Sequence, residues 1–182
     1  MGNSFKQIIL VDENDQEVGV EEKQKAHEQA LCHRAFSVFI FKETADGLET
    51  LLQKRQVDKY HCGGLWTNAC CSHPSPGEHT QVAAQRRLEE ELGVKMNLHY
   101  VSSFHYIAVF ENGLTENEVD HVFWVDDSGE NYQLNPDEVS NIKWVNVDSL
   151  LKDLVKNNKD YTPWLKPALI IALTREKNVC EY

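Results

Sequence analysis

Residues Glu78–Val94 read Glu-His-Thr-Gln-Val-Ala-Ala-Gln-Arg-Arg-Leu-Glu-Glu-Glu-Leu-Gly-Val and contain the clearest helical pattern in the chain. The spacing predicts a helix over Thr80–Leu92 that ends at Gly93, because glycine readily takes the left-handed conformation that closes a helix. The helix carries three consecutive glutamates, Glu89–Glu91, whose like charges repel and require solvent, arginine partners or a cation. Its apolar side chains are predicted to lie along one side: Val82, Ala83, Leu88 and Leu92.

The charged residues of this stretch are spaced as in the Nudix box, Gly-x5-Glu-x7-Arg-Glu-apolar-x-Glu-Glu-x-Gly-apolar. Carboxylates gathered at such a loop–helix unit hold hard divalent cations on a diphosphate. Two positions differ, since Ser72 replaces the first glycine and Arg87 replaces the glutamate after the arginine. The resemblance implies the Nudix fold, whereas Arg87 implies weakened diphosphate hydrolysis and an added phosphate-binding charge. The positions that match are Glu78, Arg86, Glu90, Glu91, Gly93 and Val94.

Outward from the helix, the chain alternates between short apolar runs and turn signals, which predicts a β-rich chain with a helical C-terminus. We therefore expect one α+β domain over residues 1–182 with a core at about 33–160, in which a mixed sheet is flanked by helices and both ends are elaborated. The predicted strands are Gln7–Val11, Val18–Val20, Ala35–Phe41, Thr50–Gln53, Val101–Phe110 and Val119–Val125, and the other predicted helices are Glu21–Gln29, Asp148–Val155 and Pro167–Thr174.

The composition narrows the function classes. Of the 182 residues, 29 are acidic and 18 are basic, and the net charge of −11 argues against a general nucleic-acid or membrane-surface binder. An anionic substrate then needs a local cluster of basic residues or a metal. Five cysteines, no apolar signal core and no run of membrane-spanning length predict a cytoplasmic protein with unpaired thiols. The oligomeric state is open, with a monomer favoured.

A second informative stretch, Gly63–His73, contains two glycines, two adjacent cysteines and a histidine. Cys71 and His73 would project to the same face of a strand, which places a thiol beside a candidate metal ligand. The rival interpretation is a structural zinc site formed by Cys62, Cys70, Cys71 and His73, although the usual Cys-x2–4-Cys pair is missing.

Glu116-Asn117-Glu118 is predicted to lie in a loop before the strand that begins at Val119. If the segment is extended, its two carboxylates project to the same face and could bind one metal ion. Together with three histidines they form a mixed nitrogen and oxygen set that suits Mn, Zn or Fe rather than Ca. The three histidines are His27, His33 and His73.

These pieces together resemble type 1 isopentenyl-diphosphate isomerase, a metal-dependent family built on the Nudix fold. The resemblance runs from about Ile8 to the end and implies conversion of isopentenyl diphosphate to dimethylallyl diphosphate, with a proton added at C4 and one removed from C2. The segments that carry it are Leu31–Ser37, Trp66–Pro74, the altered box, Glu116–Glu118 and Thr162–Trp164.

By this resemblance, Cys71 and Glu118 are the catalytic proton carriers on opposite faces of the substrate. Tyr106 would relay a proton or bond to Glu118, and Trp164 would face the carbocation, since an indole face stabilises a cation without bonding to it. The resemblance also implies a Mn2+ or Zn2+ site whose ligands are His27, His33, His73, Glu116 and Glu118.

The diphosphate would be bound by basic side chains and by Mg2+. The resemblance implies that Glu91 helps to hold the Mg2+, while the contacts to the diphosphate itself come from Lys23, Arg55, Lys59, Ser72 and Arg87.

Two departures from the family's bacterial forms affect the expected site. One residue fewer separates His27 from His33, so the turn between them must change its conformation if both histidines are to reach the metal. Tyr60–Gly63 stands where the family often has an aromatic residue, proline and glycine, and it is expected to change the loop without touching a proposed chemical group.

The alternative functions are a Nudix pyrophosphohydrolase and a non-catalytic metal- or nucleotide-binding module, because the fold alone does not distinguish these two from an isomerase.

Overall fold

A computed structural model describes residues 6–59 and 61–175. The nine strands within these ranges belong to one mixed sheet, in which β3 has the most partners. The strands are β1 (Gln7–Val11), β2 (Glu17–Glu22), β3 (His33–Thr44), β4 (Gly47–Arg55), β5 (Trp66–Thr67), β6 (Cys70–Ser72), β7 (His99–Val109), β8 (Thr115–Asp126) and β9 (Val139–Asn146).

Four α-helices and one short 3-10 turn complete the described part of the chain. None of these helices is long and apolar enough to cross a membrane. The helices are α1 (Lys23–Glu28), α2 (Thr80–Leu92), α3 (Val147–Lys156) and α4 (Leu165–Ala172), and the 3-10 turn is Asn158–Asp160.

The order of strands brings distant parts of the sequence together. β3 pairs antiparallel with β1, β4 and β6 and parallel with β8, so residues far apart in the chain become lateral neighbours. In this register His33 lies beside Glu118, and Ser37 lies between Cys71 on one side and Val122 on the other. Three of the segments predicted to carry the chemistry therefore meet on one strand.

Helices pack on both faces of the sheet because successive side chains of a strand alternate between faces. Phe36, Val38 and Ile40 of β3 pack in a core cluster with α2, whereas Phe39 and Phe41 pack in a second cluster with α3 and α4. All five side chains are buried. The predicted α+β class, with a mixed sheet flanked by helices, is confirmed.

Two local predictions are wrong. Val82 is 54% exposed and does not share the buried side of α2 with Ala83, Leu88 and Leu92. Glu116 and Glu118 lie inside β8 rather than in a loop before it, because their backbones pair with β7 and, at Glu118, also with β3.

The end of α2 is as predicted. Gly93 has φ +71°, and its amide nitrogen donates to the carbonyl oxygen of Glu89. A Cβ at this position would lie 2.8 Å from the Cβ of Gln133, so both the conformation and the space require glycine here.

Candidate active site

The site is a cavity at which the sheet, the loop after β4 and the N-terminal segment meet. Nearly every residue that touches it is polar or ionisable, which favours a charged ligand over an apolar one. The lining residues are Lys6, Lys23, Ala35, Phe36, Ser37, Arg55, Lys59, His61, Cys71, Ser72, His73, Arg87, Tyr106, Glu116, Glu118, Asp120, Glu138 and Trp164.

Three imidazoles and two carboxylates form a buried cluster at one side of this cavity, which we call the His/Glu cluster. One ligand atom from each side chain lies within 4.8 Å of all the others. The Glu118 Oε1 atom is 3.2 Å from His33 Nε2 and 2.8 Å from His73 Nε2, and Glu116 Oε2 is 3.4 Å from His27 Nε2. The members are His27, His33, His73, Glu116 and Glu118, all of which the sequence predicts as ligands.

Backbone carbonyls fix the orientation of two of these rings. The Nδ1 atom of His27 is 2.6 Å from the Lys23 carbonyl oxygen, and that of His33 is 2.8 Å from the Leu31 carbonyl oxygen. A nitrogen that faces a carbonyl oxygen carries the hydrogen, so in the neutral ring Nε2 presents a lone pair to the cluster. Metal-ligating histidines are commonly oriented in this way.

The donor set fits a divalent cation. Glu118 contacts both His33 and His73, and each contact needs a hydrogen or a cation between the nitrogen and the oxygen. Burial alone would lower the pKa of His33, but the hydrogen bond and the charge of Glu118 raise it, so a proton can satisfy that contact. Burial and the neighbouring cations hold the pKa of His73 well below its ordinary value, so protonation does not give every ring of the cluster a positive charge. One cation bound to all five ligand atoms would satisfy the whole cluster, and a mixed set of three nitrogens and two oxygens suits a divalent transition metal rather than Ca2+.

Glu118 also contacts Tyr106, whose hydroxyl donates to Glu118 Oε2 at 2.5 Å. Burial alone would raise the pKa of Glu118, but hydrogen bonds with Glu116, His33 and Tyr106 outweigh it and bring the pKa to about 2. Burial raises the pKa of Tyr106 well above its ordinary value, so the phenol keeps its proton and acts as a donor.

The two adjacent thiols have different environments. Cys70 is fully buried in the core cluster beneath α2, whereas Cys71 is half-buried and lines the cavity. Arg55 donates from Nη1 to Cys71 Sγ at 3.6 Å. Burial nevertheless dominates and raises the pKa of Cys71 to about 11, so the thiol is protonated at neutral pH. The cavity therefore contains a protonated thiol, Cys71, together with an ionised carboxylate, Glu118.

Basic side chains from α1, β4, the loop after β4 and α2 form a second group at the cavity, which we call the cationic cluster and define as Lys23, Arg55, Lys59 and Arg87. Arg87 donates to Glu91 Oε1 at 2.6 Å and lies 3.2 Å from Glu138, which also pairs with Lys59. Burial lowers the pKa of Lys23 to about 8. All four residues are predicted diphosphate contacts, and the cavity brings them together with Ser72.

Glu91, like His27 and His33, is a predicted site residue that does not line the cavity. Its carboxylate is buried between Arg87 and Gln53, whose Nε2 donates to Glu91 Oε2 at 3.0 Å. Both oxygens are therefore occupied by protein donors. Arg86, the other arginine of the box, instead donates two hydrogen bonds to Glu78 at 2.8 and 2.9 Å and links the loop to the helix.

Trp164 lies at the N-terminus of α4, buried and facing the cavity. The Arg55 guanidinium carbon is 5.5 Å from the centroid of its ring, and the Tyr106 ring is 6.4 Å away. The indole therefore forms part of the cavity wall, and its role beside a carbocation stays a prediction of the resemblance.

Asp120 and Lys6 are among the cavity-lining residues that are absent from the predictions. Asp120 follows Glu118 on the same face of β8 and accepts a hydrogen bond from Ser37 Oγ at 2.7 Å. Burial and the charge of Glu118 raise the pKa of Asp120 well above its ordinary value. Alternation along β8 could have placed Asp120 beside Glu116 and Glu118. Lys6 also lines the cavity, next to Lys23, whose amide donates to the Lys6 carbonyl oxygen at 2.8 Å.

His61 corrects a prediction. The segment Tyr60–Gly63 was expected to touch no proposed chemical group, but the Nε2 atom of His61 contacts Oε1 of Glu116. The His61 ring is 6% exposed, and burial lowers its pKa to about 3. Tyr60 lies outside the described residues. Because 55 residues separate His61 from Glu116, no local sequence pattern signals their contact.

The rival zinc site built on cysteine is not formed in the described part of the chain. The one group of metal-ligating side chains found there contains no cysteine, and the thiols of Cys32, Cys62, Cys70 and Cys71 are free.

Comparisons with known proteins agree with this geometry. A NUDIX domain matches residues 32–165. The chain is 48% identical over 172 residues to isopentenyl-diphosphate Delta-isomerase 1 of Aromatoleum aromaticum, which covers 93% of this chain and 95% of that protein. It is 43% identical over 162 residues to the isopentenyl-diphosphate Delta-isomerase of Pectobacterium atrosepticum, which covers 88% of this chain and 87% of that protein.

Solved structures show the same fold at low sequence identity. A crystal structure of a Deinococcus radiodurans protein matches with a TM-score of 0.72 at 18% identity and covers 91% of this chain and 99% of that one. A MutT protein from Methanosarcina mazei matches with a TM-score of 0.62 at 16% identity and covers 80% and 96%. With the domain match and the similarity to the two isomerases, this fold shows that the chain belongs to the isopentenyl-diphosphate Delta-isomerase family of NUDIX proteins.

Proposed function

We propose that this protein isomerises isopentenyl diphosphate to dimethylallyl diphosphate by adding a proton at C4 and removing one from C2. The observation that carries the proposal is the presence of Cys71 and Glu118 in one cavity that also contains the His/Glu and cationic clusters. The thiol holds a proton at neutral pH and the carboxylate does not, so the free site contains one acid and one base. A proton relocation in which one group donates at C4 and another accepts from C2 uses such a pair.

Protonation of the alkene at C4 places positive charge on C3, and loss of a proton from C2 then forms the new double bond. Cys71 and Glu118 exchange these two protons with the substrate from opposite faces. Tyr106 holds the Glu118 carboxylate through its hydroxyl and fixes the direction in which the carboxylate points. A divalent cation on the His/Glu cluster would draw electron density from Glu118 and make its proton more acidic.

Trp164 stabilises the positive charge on C3. An indole face attracts a cation through its quadrupole and offers no lone pair with which to trap it. Burial of the ring also keeps water away from the cation, since water at this position would add to the carbon.

The cationic cluster binds the diphosphate. Arginine forks suit phosphate oxygens, and lysine adds a point charge. Arg87 and Lys59 both pair with the carboxylate of Glu138. Phosphate oxygens can take the place of the Glu138 oxygens as partners of these two side chains. Ser72 contributes a hydroxyl or an amide hydrogen.

We assign Mn2+ or Zn2+ to the His/Glu cluster and Mg2+ to the diphosphate. Glu91 would reach the Mg2+ only by exchanging one of its bonds to Arg87 or Gln53. The proposal includes a cytoplasmic monomer whose partner is a small diphosphate rather than a nucleic acid or a membrane, in keeping with the net charge of −11.

A Nudix pyrophosphohydrolase is the alternative function, and Arg87 argues against it. Arg87 occupies the place of a glutamate in the Nudix box, so the carboxylate expected at this position is missing. Arg87 also pairs with Glu91, so the carboxylate of Glu91 already has a cationic partner. The site therefore has less carboxylate available for metals on the diphosphate than a complete box would provide.

The test is NMR of isopentenyl diphosphate incubated with the protein, Mn2+ and Mg2+. Formation of dimethylallyl diphosphate without free phosphate is expected, and Glu118→Gln should form it at least about 10³-fold more slowly. Release of phosphate or a monophosphate would support the hydrolase, and the absence of any turnover by the wild-type protein would support a binding module.

A further inference from the structure

His61 belongs to the loop between β4 and β5, and this loop also carries Lys59 of the cationic cluster. The His61 ring is nonetheless buried against the His/Glu cluster, with its centroid 5.5 Å from that of His27. On its other sides it packs at 5.5 Å from the Phe110 ring and at 6.3 Å from Trp164. The ring is therefore held on three sides by other rings and has little freedom to turn.

Glu116 uses its two oxygens in different directions. Oε1 contacts His61 Nε2, whereas Oε2 faces His27 Nε2 at 3.4 Å. His61 donates this hydrogen bond in the tautomer that carries its hydrogen on Nε2, whereas the hydrogen of the neutral His27 ring is on Nδ1, toward the Lys23 carbonyl oxygen. The Oε1 atom of Glu116 is thus held by His61, and the Oε2 atom points toward the other members of the His/Glu cluster.

The backbone of His61 is also tied to the substrate side of the cavity. Arg55 Nη2 donates to the His61 carbonyl oxygen at 3.3 Å, while Nη1 of the same guanidinium donates to Cys71 Sγ at 3.6 Å. The position of His61 therefore depends on the arginine that belongs to the cationic cluster.

We propose that His61 is a positioning residue that holds Glu116 in the orientation needed to bind the metal. The proposal rests on the metal site of the proposed function, but it concerns a residue outside the five ligands. His61 is not a sixth ligand in this arrangement, because its Nε2 is engaged with Glu116 and lies outside the set of atoms within 4.8 Å of one another. Partners that hydrogen-bond to ligating carboxylates commonly determine metal affinity.

The test measures Mn2+ binding by the metal-free full-length protein with isothermal titration calorimetry, without substrate. His61→Leu retains bulk but has no donor, and we expect it to weaken Mn2+ binding about 10- to 100-fold, the usual effect of losing such a partner. His61→Gln retains an N–H donor at a similar reach and should stay within about threefold of the wild-type affinity.

The matched control is His105→Ala. His105 is an exposed histidine whose ring bonds to Asn117, the neighbour of Glu116 on β8, so this variant removes an imidazole from the same strand pair without reaching the cavity. Its Mn2+ affinity should equal that of the wild-type protein. Circular dichroism of each metal-free variant establishes that the variant is folded.

Wild-type affinity in His61→Leu would overturn the proposal. Equal weakening in His61→Leu and His61→Gln would also overturn it, since the imidazole itself would then be needed as a ligand. If His61→Leu does not fold, His61→Gln alone decides, because a loss of more than tenfold contradicts the positioning role and retention supports it. A wild-type protein that binds no Mn2+ would overturn both this proposal and the metal assignment, whereas failure of isomerisation with intact Mn2+ binding would leave the role of His61 in place.

Discussion

The His/Glu cluster and the cationic cluster lie at the same cavity, but their charges are balanced in different ways. Among the described residues, Glu116 and Glu118 form ion pairs only with histidines. In the cationic cluster, by contrast, Lys59 and Arg87 already pair with the carboxylate of Glu138. The first cluster thus gathers acceptors that a bound cation would satisfy, and the second gathers donors whose partners an anion can replace.

This difference explains how a protein of net charge −11 can bind both a metal and a diphosphate. The acidic excess is a property of the whole surface, whereas binding depends on the local field of the cavity. Substitutions in the His/Glu cluster should therefore affect metal binding and proton transfer, and substitutions in the cationic cluster should affect substrate affinity.

Glu118→Gln should have the largest effect, because it removes a proton carrier and a metal ligand while preserving shape. We expect kcat to fall by about 10³-fold or more, since positioned acid–base groups contribute roughly 10²- to 10⁴-fold. Asp126→Asn, at the exposed end of the same strand, is the control and should leave kcat unchanged. A Glu118→Gln variant within tenfold of wild-type turnover would remove the distinction between the two clusters.

The adjacent thiols provide the next comparison. Cys71→Ala should lower kcat by roughly 10²-fold or more, because it removes the second proton carrier. Cys70→Ala should leave kcat within about threefold and instead lower the free energy of unfolding by about 1–2 kcal/mol, since it opens a small cavity in the core. Steady-state kinetics and urea unfolding of both variants measure these effects, and a catalytic loss in Cys70→Ala with intact turnover in Cys71→Ala would reverse our assignment.

Arg87 and Arg86 allow the same comparison within the Nudix box. Arg87→Gln should raise KM about 10- to 100-fold, which corresponds to the loss of one charge-assisted hydrogen bond to the diphosphate. Arg86 bonds to Glu78 and Glu90 and does not line the cavity, so Arg86→Gln should change KM by no more than about twofold. Equal effects on KM would mean that the cationic cluster does not select the diphosphate.

The smallest predicted effect is a pH-dependent contribution of Glu78 to stability. The hydrogen bonds from Arg86 lower the pKa of Glu78 from 4.5 to about 2. A depressed pKa in the folded state stabilises the fold above the unfolded value of 4.5, and this contribution is lost as the pH falls toward 2. Because the pair is partly exposed, Arg86→Gln should cost only about 1–2 kcal/mol at pH 7.

Urea unfolding of the wild-type protein and Arg86→Gln at pH 7 and pH 3 measures this contribution. The difference in the free energy of unfolding should narrow by more than half at pH 3. A difference that stays constant with pH would show that Arg86 stabilises the fold by packing rather than by its charge.

Much of the fold could be predicted from sequence because its signals are local. Apolar runs with nearby turn signals located β1, β3 and β4, and Gly93 marked the end of α2. The cavity-lining part of β8 was misread because Glu116 and Glu118 point into a polar cavity, so the strand begins without the apolar alternation by which strands are recognised.

The predictions of His33, His73, Glu116, Glu118 and Arg87 rest on segments that carry the family resemblance, whereas those of Lys23, His27, Arg55 and Lys59 rest on matching the rest of the chain to the family. Neither route indicates His61, and alternation along β8 gives the position of Asp120 but not its environment. The contact of His61 with Glu116 depends on how a loop folds back over 55 residues, and the environment of Asp120 depends on its burial beside Glu118. Such properties arise from tertiary structure.

The most direct test of the account is NMR of the product formed by the wild-type protein in D2O with Mn2+ and Mg2+. If Cys71 and Glu118 act as two separate proton carriers, the proton added at C4 comes from a group that has exchanged with solvent. We predict dimethylallyl diphosphate with solvent deuterium in the methyl group derived from C4. Product without solvent deuterium would contradict the account, because it would mean that one group carries the same hydrogen from C2 to C4.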